Sequence, residues 1–396
     1  MSAPRVVLQP RRARPFYGRH PWVFAGAIAD VHGDPADGDE VDLCSHTGNF
    51  VARGLFNSRS KIRVRLYSWS ENAPLDREFF RAQLAAALHL RGPILGLDRP
   101  GRACRLVFSE ADGLSGCTVD RYDRWLVMQV TSLGMARRRE LLAELLVELA
   151  RPEGIYIRTE RGVGHLEGLE LQDGLLWGHV PTEPVVVEEN GLRFLASLTE
   201  GQKTGLYLDQ RDNRRAVALL AMGRRVLDAF CYTGGFGLYA ARAGAREVIG
   251  VDVSEPALAL AQANARLNEA PAISFVRSDV FEYLADRAES GDRFGLIVLD
   301  PPKFARARHA VEEAMRGYRR LQALALRLLD SDGILVTCCC SGLITLEMLR
   351  DLLGQLAAEE RRFVQVLQCR GQAPDHPVAA SCPESAYLKC IIARVR

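Results

Sequence analysis

The sequence predicts an α/β protein: a C-terminal open, mostly parallel sheet with crossover helices, preceded by a small β-rich domain and a mixed α/β middle domain. Three observations predict it. The second half alternates short apolar runs with segments of helical spacing, the pattern of parallel strands joined by helices. The first 72 residues carry short apolar or alternating runs broken by Gly, Asn and Ser. A chain of 396 residues, at roughly 100–200 per domain, makes two or three domains. The boundaries drawn are 1–72, 75–190 and 191–396.

In the first domain, VDLCSHTGNFVARGLFN and KIRVRLYSW read as strands separated by turns. Ser70 to Pro74 reads as a linker. From Asp76 to Leu90 apolar residues recur at helical spacing, among them Phe79, Phe80, Leu84 and Leu88. CRLVFSEADG and GCTVDRYDRWLVMQVTS resemble strands around turns, Met135 to Ala150 a helix and GIYIRTE a further strand. In the third domain the strands are RRVLDAF, EVIGVDV, ISFVRSD, GLIVLD and GILVTCC, short apolar runs suited to burial on both faces. PALALAQANARLN and AMRGYRRLQALALRLL have the spacing of the helices between them. RRFVQVLQC and AYLKCIIARV are expected to close the sheet as an antiparallel pair at its edge.

Composition excludes several classes. No apolar run approaches the roughly 18 residues of a membrane span. The N-terminus carries prolines and arginines where a secretory signal needs an apolar stretch, so a cytoplasmic location is expected. Ten cysteines include no CxxC pair, so neither a zinc site nor any other metal centre is expected. The net charge of +2 rules out a polycation and leaves nucleic-acid binding to local basic surfaces. One candidate runs from Leu43 to Ser70, which lacks Asp and Glu and holds Arg53, Arg59, Lys61, Arg63 and Arg65. Only four lysines occur, Lys61, Lys203, Lys303 and Lys389, and Lys203 and Lys303 stand in motif-like segments.

In open α/β sheets ligands bind beyond the carboxyl ends of the strands, where the strand order reverses. Here the first strand of the third domain runs into Asp228-Ala229-Phe230-Cys231-Tyr232-Thr233-Gly234-Gly235, whose glycines permit a close backbone approach. The second ends at Asp252-Val253, 24 residues after Asp228, where an acid can accept from ribose hydroxyls. The third ends at Asp279-Val280, suited to an adenine amino group, and the fourth at Asp300-Pro301-Pro302-Lys303. The pattern lacks GxGxxG, the pyrophosphate cradle of dinucleotide folds. S-adenosylmethionine has no phosphate and needs acids and glycines alone, so it is the expected cofactor in preference to NAD. The candidate cofactor residues are Asp228, Phe230, Thr233, Gly234, Gly235, Asp252, Val253, Asp279, Val280 and Asp300. The double proline stiffens a loop that can hold its shape beside a transferred methyl group.

The fifth strand ends in Cys338-Cys339-Cys340-Ser341-Gly342. C5 of a pyrimidine is a poor nucleophile, and addition of a thiolate to C6 makes it electron-rich. Alternation puts Cys338 and Cys340 on one face and Cys339 on the other. Cys340, last in the run and nearest the turn, is the candidate nucleophile, with Cys338 and Cys339 as alternatives and core packing as the plain reading of all three. Cys231 is expected to pack.

These segments resemble the bacterial large-subunit ribosomal RNA cytosine-C5 methyltransferases with an N-terminal PUA domain. HPWVFAGAI, RLVFSEADGLSGCTVDRYD, GQKTGLYLDQRDNR, LDAFCYTGGFG, LDPPKF, TCCCSGL and DHPVAASCPESAYLKC carry the resemblance over nearly the whole chain. It implies a class I methyltransferase fold with a Rossmann-like seven-stranded sheet and a PUA-like domain. It also implies 23S rRNA or a large-subunit precursor as partner, with a homodimer as one possible assembly. It places the nucleophile on Cys340, with Cys339 standing where the family has Ser, and gives Asp300 the orientation of the target base. Related two-cysteine enzymes carry a second thiol after the double proline; Lys303 stands there and implies a one-cysteine mechanism. Tyr207, Asp209, Gln210 and Arg211 would pack over cofactor or base, while Arg53, Lys61, Arg63, Lys203 and Lys303 would contact RNA backbone without reading sequence. The competing readings are methyl transfer to guanine N2 or uracil C5, an NAD-dependent oxidoreductase, and a non-catalytic RNA-binding assembly factor.

Overall fold

The computed structural model describes residues 4–159, 164, 167–169, 171–199, 206–305 and 307–396. The chain forms two compact units, one of Met1–Val187, Ala196–Gly205 and Pro374–Ser385, the other of Glu188–Leu195, Leu206–Ala373 and Ala386–Arg396.

Alternating apolar residues build the first sheet of the first unit. It has six strands, β1 (Arg5–Leu8), β2 (Trp22–Phe24), β3 (Ile28–His32), β4 (Glu40–Cys44), β5 (Phe50–Phe56) and β6 (Ile62–Ser68), in the order β2-β6-β5-β4-β1-β3. Val6, Leu8, Val41, Leu43, Val64 and Leu66 point into one core. The acid-free stretch of sequence is not acid-free in space. Arg53 on β5 faces Asp42 across the β4–β5 hairpin, its Nε 2.8 Å from the carboxylate and 3.3 Å from Glu40. Arg65 on β6 sits between Glu110 and Glu167, 3.4 Å from each. The charge of Arg53, expected to contact phosphate, is thus matched by two carboxylates within its own unit.

The same unit holds a five-stranded sheet of β7 (Ala103–Phe108), β8 (Cys117–Tyr122), β9 (Trp125–Val130), β10 (Gly154–Arg158) and β11 (Gly174–Gly178), in the order β11-β10-β9-β8-β7. Helices α1 (Arg77–His89) and α2 (Arg139–Ala150) pack on it through Phe80, Leu84, Leu142, Leu145 and Leu146. Asp76 caps α1 by accepting from the Phe79 N–H at 2.9 Å. The helix expected from Met135 begins as a separate turn, because Arg138 leaves helical geometry and its guanidinium donates to the Gly134 and Gly38 carbonyls.

Val185–Glu189 (β12) and Leu192–Ala196 (β13) pair as a hairpin. The second unit is built on a seven-stranded sheet of β14 (Arg225–Ala229), β15 (Glu247–Asp252), β16 (Ile273–Arg277), β17 (Phe294–Leu299), β18 (Leu329–Cys339), β19 (Val364–Arg370) and β20 (Lys389–Val395). The order is β16-β15-β14-β17-β18-β20-β19. The first five are parallel; β20 runs antiparallel between β18 and β19. Its helices are α3 (Arg211–Ala218), α4 (Gly235–Arg242), α5 (Glu255–Leu267), α6 (Val280–Glu289), α7 (Val311–Leu328) and α8 (Leu346–Glu359).

Every residue of β17 is buried, as a strand covered on both faces requires. Alternation divides the central strands between two cores. Leu227, Ala229, Ile297, Leu299 and Leu335 pack with α7 and α8 on one side; Val226, Leu296, Val298 and Val336 pack with α4 on the other. Strand order reverses between β14 and β17, so a ligand crevice belongs beyond their carboxyl ends. Among the described residues no helix is long and apolar enough to cross a membrane.

Candidate functional site

The acids at the strand ends converge on that crevice, and each has a defined local task. Asp228 is fully buried, and its Oδ2 accepts from the Gly237 N–H at 2.8 Å where α4 begins. Its Oδ1 is buried with no hydrogen-bond partner. Burial pushes this carboxyl up to about 7, with the Gly237 N–H opposing and Asp300 and Asp252 adding to the rise.

Between Asp228 and α4 the chain bends sharply. Phe230 and Tyr232 both take left-handed backbone geometry, at φ 63° and 50°, and Gly234 follows at φ 83°. Non-glycine residues in that region cost on the order of 1–2 kcal/mol each, so the turn is strained. Asp252 holds it: Oδ2 accepts from the Tyr232 N–H and Oδ1 from the Ser254 N–H, both at 2.9 Å. A Cβ on Gly234 would stand 3.2 Å from the Phe275 ring, and one on Gly235 would meet the Arg214 side chain at 3.0 Å. Thr233 is buried, and its carbonyl accepts from Asn264 on α5. Val253 is exposed.

Asp279 is exposed and caps α6, accepting from the Phe281 and Glu282 N–H groups through Oδ1. The Val280 side chain is buried in the core, so only its backbone can meet a ligand. Asp300, beyond β17, accepts from the Gln210 amide at 3.0 Å. Gln210 is itself buried and fixed by Asn213, whose amide donates to its Oε1 at 2.7 Å.

Tyr207 lies over this group. Its ring meets Tyr232 edge-on at 5.2 Å, and its carbonyl accepts from Arg214. Burial raises the Tyr207 hydroxyl, and Tyr232, Asp300, Asp209 and Cys340 raise it further, so these groups surround it. Asp209 accepts from the Tyr387 hydroxyl, while its Oδ1 is buried without a partner. Arg211 is buried beside Asp212. Arg214 and Glu189 form a fully buried, two-point ion pair at 3.0 Å beneath the turn.

Cys338 and Cys339 separate to opposite faces as alternation requires. Cys338 packs in the core on the α4 side of the sheet, Cys339 in the core on the α7 side, both fully buried. Cys340 lies just past the end of β18 and is half-buried. The Cys338 thiol is raised well above its ordinary value, first by its contact with Cys390 and then by burial. Cys231 is buried against the underside of Gly250 and packs, as expected. Ser341 ties the turn down: its hydroxyl donates to the Ala305 carbonyl at 3.0 Å, joining the Cys340 turn to the double-proline loop.

Lys61 and Lys303 are exposed and Arg63 is partly buried, with its guanidinium on the Asn57 carbonyl. Lys203 lies outside the described residues. Sequence reasoning passed over Tyr232, Tyr387 and Lys389; the available signal for Lys389 was its place on the strand that pairs with the cysteine run. Among the described residues one group has metal-ligand geometry, His20, Cys382 and Glu384, in the other unit. The Trp22 N–H donates to His20 Nδ1, which puts the ring proton on Nε2 facing Glu384 and opposes ligation there.

Known proteins share this architecture. The profile of the S-adenosylmethionine-dependent methyltransferases matches residues 175–389, and that of PUA-like domains matches 6–69. The chain is 42% identical over 400 residues to ribosomal RNA large subunit methyltransferase I of Aeromonas hydrophila, covering 100% of both chains. It is 41% identical to the protein of that name in Aeromonas salmonicida, covering 99% of both. A solved protein from Streptococcus mutans, classed as a SAM-dependent methyltransferase, superposes with TM-score 0.85 at 20% identity, over 98% of this chain and 99% of that one. A methyltransferase solved in complex with SAH superposes with TM-score 0.86 at 21% identity, over the same shares. These two structures share the fold.

Proposed function

The chain belongs to the S-adenosylmethionine-dependent methyltransferases, in the group whose curated members are named ribosomal RNA large subunit methyltransferase I, and from that premise we propose that it methylates C5 of a cytosine in 23S rRNA through a covalent Cys340–C6 bond.

The residues at the strand ends suit the cofactor. S-adenosylmethionine supplies an electrophilic methyl group on a sulfonium, and carries an ammonium, two ribose hydroxyls and an adenine amine. The unpartnered, buried Oδ1 of Asp228 calls for a donor, and an ammonium fits it. Asp252, already fixed by two N–H groups, keeps acceptor capacity for ribose hydroxyls. Asp279 keeps its second oxygen for the adenine amine. The strained turn through Phe230, Thr233, Gly234 and Gly235 would let backbone approach the cofactor, with Val253 serving the ribose and the Val280 backbone the adenine.

One observation carries the choice of nucleophile: of the three adjacent thiols, Cys340 alone leaves the strand on the ligand side and keeps solvent access. The Cys340 thiolate adds to C6, and the C5–C6 electron pair moves toward C5. C5 takes the methyl group, a base takes the C5 proton, and the restored C5–C6 double bond expels the thiolate. Asp300, oriented by Gln210, accepts from the exocyclic amine of the cytosine and holds the ring in register. Lys61, Arg63, Lys203 and Lys303 contact phosphates, which positions RNA without reading it.

The test is transfer of labelled methyl from S-adenosylmethionine to unmodified 23S rRNA and to large subunits, followed by nucleoside mass spectrometry. Label in 5-methylcytidine, abolished by Cys340→Ala with cofactor binding retained, is the expected result. Label in another nucleoside, or full activity in Cys340→Ala, defeats the covalent scheme.

A further inference from the structure

Lys389 stands where a thiolate at position 340 needs a counter-charge. It opens β20 directly opposite Cys339 in the antiparallel ladder with β18. The strand leaves its side chain half-buried, with Nζ donating to the Ser341 carbonyl at 2.7 Å and to the Tyr387 carbonyl at 3.2 Å. The first of these carbonyls belongs to the residue that follows Cys340. An ammonium has three N–H donors, and these two bonds leave one for an anion. Antiparallel insertion of β20 beside β18 is what brings a cation to the cysteine turn from outside the loop itself.

We propose that Lys389 is a positioning residue that holds Cys340 as a thiolate ready to add to C6, an inference that rests on Cys340 being the nucleophile. The charged groups around Lys389 are consistent with this pairing. Burial lowers the lysine, Cys339 and Cys340 pull it back up, Lys303 lowers it and Glu347 raises it. Cys339 is fully buried and bound to its turn, its sulfur accepting from the Ser341 N–H, so Cys340 is the thiol that can use the charge on substrate. Across the turn the carboxylate of Asp300, which shares the neighbours Tyr207 and Tyr318 with Cys340, disfavours a thiolate, and Lys389 opposes it. The thiol proton passes to solvent, the thiolate adds to C6, and the ammonium pairs again with the sulfur when elimination restores it.

The experiment reads the thiol itself. The whole protein is alkylated with iodoacetamide from about pH 6 to about pH 10, a span that brackets an ordinary thiol, and modification of Cys340 is followed by peptide mass spectrometry. Removing a cation within about 4–6 Å raises a thiol by about one to three pH units. Lys389→Met should therefore move the Cys340 profile up by at least about one unit, and slow methyl transfer about tenfold or more near neutral pH, with recovery as pH rises. Lys389→Arg, which keeps the charge, should keep the wild-type profile, and Lys389→Gln serves if the Met variant does not fold. A Cys340 profile unmoved in both neutral variants overturns the role of Lys389 and leaves Cys340 as nucleophile untouched. Wild-type methylation by Cys340→Ala overturns the underlying reading, whatever the alkylation profile shows. A loss of activity in Lys389→Met that high pH does not restore assigns the lysine a structural task and rejects the inference.

Discussion

Asp228→Asn should stabilise the cofactor-free protein at alkaline pH and do little at acid pH. The native carboxyl sits at about 7 against an ordinary 3.8, first because it is buried. A folded-state value above the unfolded one means that the native protein keeps a proton that the unfolded chain loses. Stability is therefore lost as pH rises from about 4 to about 7. At about 1.4 kcal/mol per unit, the full penalty for burying this carboxylate is on the order of 4 kcal/mol, of which roughly 1.5 is already lost by pH 5. The remaining 2–3 kcal/mol, roughly, falls between pH 5 and pH 8. Asparagine has no proton to lose, and its oxygen can still accept from the Gly237 N–H. Its amide nitrogen would replace the partnerless Oδ1, a cost close to that of the buried protonated acid, so the two cancel below about pH 4. Urea unfolding by circular dichroism, supported by hydrogen exchange of β14 amides, measures wild type and variant at both pH values. The expected result is a variant advantage at pH 8 that exceeds the one at pH 5 by about 2 kcal/mol or more. The same variant should bind S-adenosylmethionine more weakly, because the amide cannot balance the cofactor's ammonium. A stability difference independent of pH would refute the argument, since it would mean the carboxylate is already compensated in the cofactor-free fold.

Three further substitutions probe the site and the RNA surface. Gly234→Ala must place a Cβ at φ 83° and 3.2 Å from the Phe275 ring, so it should cost about 1–2 kcal/mol in urea unfolding and weaken S-adenosylmethionine in calorimetry. Arg53→Met should leave RNA affinity nearly unchanged but destabilise the first unit by about 1–3 kcal/mol, because Asp42 loses a close partner in a site only 12% exposed on the arginine side. Lys61→Ala should do the opposite, lowering RNA affinity across sequences and reducing the slope of log affinity against log salt by about one, with stability held.

What the sequence disclosed and what it withheld divide along a physical line. The parallel strands were legible because burial on both faces leaves uninterrupted apolar runs such as FGLIVL, which no surface segment imitates. The acids were legible because a parallel sheet brings every carboxyl strand end to one edge; Asp228, Asp252, Asp279 and Asp300 needed no measured distance to be grouped. The cysteine faces followed from the two-residue period of a strand. Pairing across elements was not legible. Arg53 looked free because Asp42 is 11 residues away in sequence, yet the β4–β5 hairpin sets the two side by side. Arg65 meets Glu167, 102 residues away. Lys389 was counted as one of four lysines and passed over, because the meaning of a strand residue depends on its neighbour in the sheet. The expectation that the last two strands pair antiparallel was right, but it did not say which of them touches β18. Once β20 takes that place, register alone sets Lys389 opposite Cys339, and a residue without a local motif becomes a cation bonded to the cysteine turn. Charge that acts through sheet register cannot be read from composition or spacing, and for that reason the thiol's pH profile is a more searching probe of this site than any match of motifs.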